Sequence, residues 1–161
     1  MLDKERVRAV LPGDADVPPG WKAATAYRMD SPGPDGSLAF GRRAYSAPDL
    51  NGDVGFGLSS FRSRSQAGAG YDKTKRLYAG VREGTARVEG ADAAFTAVYC
   101  LGRSYCSSSI QMRVGLVTAY VNLNTDRPPA ADPKVLNSMA RSFVLRIRQA
   151  EQGQRPAAKA G

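Results

Sequence analysis

Two cysteines, Cys100 and Cys106, are the residues whose spacing most constrains their chemistry. They enclose residues 101–105 (LGRSY), which is neither the C-x-x-C of a redox or zinc site nor a pair with histidine help, since the chain contains no His. A strand–loop–strand connection of this length can set the two opposite each other at the neck of a hairpin. A disulfide is the favoured reading because such bonds persist in oxidising compartments, and the alternative is two reduced core thiols in a cytosolic protein. The missing His also removes every Ser-His-Asp and Cys-His arrangement and the commonest general base.

The remaining candidates for chemistry are carboxylates and glycines. Asp14, Asp16, Asp35, Asp49 and Asp53 fall in turns, where they cap backbone amides. Asp49, Asn51 and Asp53 alternate as at the start of a calcium loop. Gly52, however, stands fourth instead of sixth, and no acidic residue follows at the twelfth place. Residues 68–74 (GAGYDKT) resemble a phosphate loop, but Asp72 and Ala67 occupy the two places where glycines are required. The expectation is a chain with no catalytic residues, no metal and no cofactor, hence not an enzyme.

Binding chemistry is better represented. Trp21, Tyr45, Tyr71, Tyr78 and Tyr120 are candidates to line a ligand cleft, because pockets combine aromatic walls with few polar groups. For each of them taken singly, a core or ordinary surface position is the favoured reading, and for Trp21 a core anchor. The formal net charge is +8, and a basic surface attracts nucleic acid, acidic lipid or wall polyanions. The clusters are short: Arg62 and Arg64, then Lys73, Lys75 and Arg76. Their dispersion, with no interleaved aromatics, suits solubility or diffuse wall attraction, and nucleic acid is not expected. The alternative is a cytosolic basic protein that binds nucleic acid non-specifically.

The elements that must position these residues follow from periodicity. Residues 3–10 (DKERVRAV) form a helix stopped by Pro12–Gly13, and an extended loop leads to Trp21. Residues 38–45 and 54–62 read as strands joined through Asn51–Gly52, the second with Gly55, Gly57 and Ser59 on one face, where another element can approach closely. Residues 65–70 read as a flexible link, and 71–82 as a helix with Tyr71, Thr74, Leu77, Tyr78 and Val81 on one side. Strands follow at 91–101, 107–114 and 116–124. The last helix has Asp132 at its N-cap and Pro133 at its first position, then Leu136, Met139, Ala140, Phe143 and Ile147 as a buried stripe. Arg141, Arg146 and Arg148 suit its C-terminal dipole.

Register can be tested twice. Pairing Cys100 with Cys106 also pairs Val98 with Ser108, Thr96 with Ile110 and Ala94 with Met112. A two-residue Gly115–Leu116 turn pairs Val114 with Val117, Met112 with Ala119, Ile110 with Val121 and Ser108 with Leu123. Both hairpins put Ile110, Met112 and Val114 on one face, together with Val98, Val117, Val121 and Leu123. Gln111, Arg113, Thr118, Tyr120 and Asn122 fall on the other.

At 161 residues the chain fits one domain, with a single α+β domain expected over residues 1–151 and a disordered tail over 152–161. No stretch approaches a membrane span, and residues 1–11 are mixed and helical, unlike a secretory signal. Either the chain is cytosolic, or it follows a signal or lipid anchor already removed; the cysteine pair favours export.

Residues 11–12 with 19–21 (LP…PGW), 90–95 (GADAAF), 113–121 (RVGLVTAYV) and the final amphipathic helix resemble the actinobacterial extracytoplasmic sensor domains and small lipoproteins of the PsbP/Mog1-like fold, including the extracellular sensor domains of mycobacterial Ser/Thr kinases. The resemblance spans most of residues 3–150. It implies an antiparallel sheet of about five to six strands with helices packed on it, outside the cytoplasmic membrane, and it supplies no catalytic residue. One cysteine pair and no transmembrane linker favour a free or lipid-anchored protein. The expectation is therefore a monomeric, non-catalytic binding or sensing domain for an unknown envelope ligand or protein partner.

Overall fold

In the computed structural model, which describes residues 1–126 and 129–159, three helices begin at side-chain caps. Asp3 accepts from the Arg6 amide to start α1 (Lys4–Val10), Ser63 from the Gln66 amide to start α2 (Arg64–Leu77), and Asp132 from the Lys134 amide to start α3 (Pro133–Glu151). Each cap satisfies a donor that the helix itself leaves orphaned.

The expected flexible link at residues 65–70 is instead the first part of α2. The Ser63 cap nucleates it, and its glycines make room for neighbours: a Cβ on Gly70 would stand 2.9 Å from the Phe61 ring. The helix also ends at Leu77, short of residue 82, because Gly80 reverses the chain at φ +95.

Among the described residues, eight strands form one sheet: β1 (Lys22–Ala23), β2 (Arg28–Asp30), β3 (Ala39–Ala47), β4 (Gly52–Ser60), β5 (Arg82–Thr85), β6 (Ala93–Leu101), β7 (Tyr105–Val114) and β8 (Val117–Thr125). Every pairing is antiparallel, in the order β1-β3-β4-β8-β7-β6-β5, with β2 also on β3. The architecture is α+β, as expected. The sheet exceeds five to six strands because β1, β2 and β5 are too short to show alternation. All seven side-chain pairs deduced from the two hairpins occur, as does the cysteine pair.

One face of the sheet is dry. Val54, Phe56, Leu58, Ile110, Met112, Val114, Val117, Val121 and Leu123 pack under α1 and α3, whose Val7, Val10, Leu136, Met139, Phe143 and Ile147 are buried against them. Phe56 and Phe143 meet edge to face at 5.5 Å. Val98 shares this face but is only half-buried, near the edge where only short β5 lies beyond β6.

Arg146 does something its sequence position does not suggest. Instead of completing the α3 dipole it is 2% exposed and turns to the C-terminus of α1. There its Nε donates to the Val10 carbonyl at 2.7 Å and its Nη2 to that of Ala9 at 3.1 Å. Its Nη1 donates to the Ala158 carbonyl at 2.9 Å, and Asp16 lies 3.1 Å away. The segment read as a disordered tail is thus engaged over residues 152–159: the Gln154 amide donates to the Gln149 carbonyl at 2.8 Å and the Ala157 amide to its side chain at 2.9 Å. Residues 160 and 161 of that tail lie outside the described residues.

Cys100 and Cys106 form a disulfide across the β6–β7 hairpin, with Cα atoms 4.1 Å apart. The closed loop is short, so little chain entropy is removed from the unfolded state. A Cys100→Ala/Cys106→Ala double variant should lose no more than about 2 kcal/mol, read from the shift of the urea midpoint. A loss of the whole transition would contradict this.

Candidate cleft between sheet and helix

The opposite face of the sheet carries polar side chains at period two: Ser107, Ser109 and Gln111 from β7, and Thr118, Tyr120 and Asn122 from β8. The register sets Gln111 beside Tyr120 and Ser109 beside Asn122. Helix α2 crosses this face with a narrow inward stripe: Ala67, Tyr71 and Thr74, continued by Tyr78 just past its end. Tyr71 and Tyr78 both meet Phe95 of β6 edge to face, at 5.6 and 5.9 Å, and this fixes their rings. The Gln111 side-chain amide donates to the Tyr78 hydroxyl at 3.4 Å.

Between the helix and this sheet face lies a cleft of about 440 Å³, within the range of small-molecule sites. The glycines of β4 shape its floor. A Cβ on Gly57 would stand 2.3 Å from the Tyr120 ring, and one on Gly55 2.2 Å from the Asn122 side chain. The close approach anticipated over this glycine face is therefore made by Tyr120 and Asn122 themselves, which fold down onto β4.

Of the five aromatics with candidate roles, the structure brings Tyr71, Tyr78 and Tyr120 together in this cleft. Trp21 and Tyr45 lie elsewhere, in the core. Trp21 donates from Nε1 to Asp49 at 2.7 Å, and Tyr45 from its hydroxyl to the Pro12 carbonyl at 2.7 Å. The basic residues Arg62, Arg64, Lys73, Lys75 and Arg76 are all exposed, on α2 or just before it, and Lys75 lies 3.5 Å from Glu83. None of them lines the cleft.

Sequence reasoning placed Gln111, Thr118 and Asn122 on this face, and Thr74 on the helix side of Tyr71 and Tyr78, without assigning them to a site, and it missed Ser107 and Ser109. Their alternation along paired strands was the available signal. What turns that face into a cleft is the position of α2, which begins where a loop was expected.

Burial pushes the phenols of Tyr45, Tyr71 and Tyr120 above their ordinary value. At Asp35, on the rim, burial would raise the carboxyl, but hydrogen bonds from Ser37 and Ser59 outweigh it and hold the group lower than usual. Raised phenols favour the folded state fully below about pH 10, and that contribution fades as pH climbs through their folded values. In an alkaline titration followed by phenolate absorbance, part of the tyrosine signal should lag in the native protein and catch up in denaturant, with stability falling over the same interval. Superimposable native and denatured curves would refute this.

Fold and site together define a cleft-bearing α+β domain, an antiparallel sheet with two helices on a dry face and one over a polar face. No protein-family model matches the chain, and no curated protein does. Among solved structures, it is similar to the crystal structure of the extracellular domain of PknH from Mycobacterium tuberculosis, with a TM-score of 0.63 over 94% of this chain and 97% of that one. At 13% identity the likeness is one of fold. No helix among the described residues is long and apolar enough to cross a membrane.

Proposed function

We propose that this chain is a non-catalytic extracytoplasmic binding or sensing domain, secreted or lipid-anchored, of the PsbP/Mog1-like kind. It would recognise an envelope ligand or a protein partner through the cleft between α2 and the polar sheet face. The observation that carries this reading is the convergence of Tyr71, Tyr78 and Tyr120 with Gln111 around a space of about 440 Å³. Those aromatic and amide groups are not consumed in the core. The Cys100–Cys106 disulfide and the shared fold with an extracellular domain support the compartment.

Alkylation under denaturing, non-reducing conditions, followed by intact mass, tests the compartment on protein from its natural host. No added alkyl groups is the expected result. Two added groups would mean reduced thiols and a cytosolic protein, and would return the exposed basic residues of α2 to consideration as a nucleic-acid surface.

A further inference from the structure

We infer that the cleft takes a neutral, polyhydroxylated ligand, one or two rings of a saccharide, an inference that rests on the cleft being a binding site. Charge restricts what the cleft can hold. The chain holds 23 Lys and Arg against 15 Asp and Glu; among the described residues the cleft lining itself contains no Lys or Arg and one carboxylate, Asp35, while Arg42 and Arg113 stand just outside it, near the Tyr120 and Tyr71 phenols. A phosphate, sulfate or carboxylate ligand would find no cation within the lining and would have to draw Arg42 or Arg113 in from beside it to make the charge-assisted bonds that are the strongest available to it. Asp35 is already engaged by its own turn, accepting from the Ser37 amide at 3.1 Å, so it is poorly placed to hold an organic cation.

The polarity of the lining is of one kind. Most of the lining ends in a hydroxyl or an amide, from Ser107, Ser109, Gln111, Thr118 and Asn122 as well as the three tyrosines. An acyl chain would strip water from these groups and return no hydrogen bonds, which is costly. Sugar hydroxyls both donate and accept, as Ser, Thr, Tyr, Asn and Gln side chains do. The apolar C–H faces of a sugar ring suit the tyrosine rings, whose faces carry the complementary quadrupole.

The cleft is also preorganised. Phe95 fixes Tyr71 and Tyr78, and Gly57 lets Tyr120 lie down on β4, so little side-chain entropy remains to be lost on binding. Phenols are protonated at neutral pH at their ordinary value, so the tyrosine hydroxyls can donate as well as accept. The volume, about 440 Å³, leaves room for roughly one to two sugar rings.

The test is an amide NMR titration of the full chain with cello- and chito-oligosaccharides of two and four rings. Inorganic phosphate, choline chloride and a mixed fragment set serve as comparison probes. The expected result is saturable shifts at Ser109, Gln111 and Tyr120 with a saccharide and none with phosphate or choline. Affinity that still rises from two to four rings marks a polymer, and a plateau marks a free sugar. Tyr78→Phe and Gln111→Met, each checked for an unchanged native spectrum, should weaken binding about two- to tenfold, as loss of one hydrogen bond does. Shifts at the cleft with phosphate, choline or fragments but no saccharide would overturn the ligand class while leaving the cleft a binding site. No shift there with any probe would overturn both.

Discussion

Arg146→Met is expected to destabilise the fold by about 3–5 kcal/mol, the cost typical of removing one member of a buried charged network. The arginine is 2% exposed and reaches the carbonyls of Ala9 and Val10, at the end of α1 where intrahelical donors run out. It also holds Ala158 and lies beside Asp16. Methionine preserves most of the stem but leaves those carbonyls buried without donors, each costing about 1–3 kcal/mol. A domain stabilised by roughly 5–15 kcal/mol would then be marginal. Urea unfolding measures the loss, and Arg146→Lys should recover part of it by keeping the charge. A loss below about 1 kcal/mol, the scale of a surface pair, would show that Arg146 does not hold α1, α3 and the C-terminal segment together.

Phe143→Ala is the second large effect. Phe143 is fully buried at the centre of α3 and meets Phe56 of β4 at 5.5 Å, so it links the helix to the middle of the sheet. Truncating a core phenylalanine costs about 3–5 kcal/mol through lost transfer energy and the cavity left behind. The Phe56→Ala/Phe143→Ala cycle should show a coupling of about 0.5–1.5 kcal/mol from the edge-to-face pair. Additive losses would indicate that the rings pack independently. Neither residue lines the cleft, so binding by the folded fraction should be unchanged in both single variants.

Where two constraints met on one segment, the sequence was readable. The cysteine spacing and the Gly115–Leu116 turn demanded the same alternation along residues 107–123, and the observed pairing follows it. Asp132 with Pro133 marked the start of α3 for a similar reason: a cap and a helix-compatible proline agree. Where one signal stood alone it misled. Gly68 and Gly70 suggested a link because glycine is a poor helix former, but the Ser63 cap and the Phe61 ring beside Gly70 were visible only in three dimensions. Strands β1, β2 and β5, of two to four residues, owe their existence to the strands they join. The same limit governed the site: an aromatic stripe reads alike whether it faces a core or a cleft. Tyr45 and Tyr71 were therefore not separable until α2 was placed.

The claim that the cleft is the binding surface is tested most directly by ¹⁹F NMR of protein labelled with 3-fluorotyrosine, titrated with a chemically mixed ligand library. The signals of Tyr71, Tyr78 and Tyr120, assigned by single Tyr→Phe variants, should move together with a saturable ligand while buried Tyr45 stays still. Shifts confined to Tyr99 or Tyr105, on the β6–β7 hairpin, or no saturable shift at the three cleft tyrosines, would contradict it.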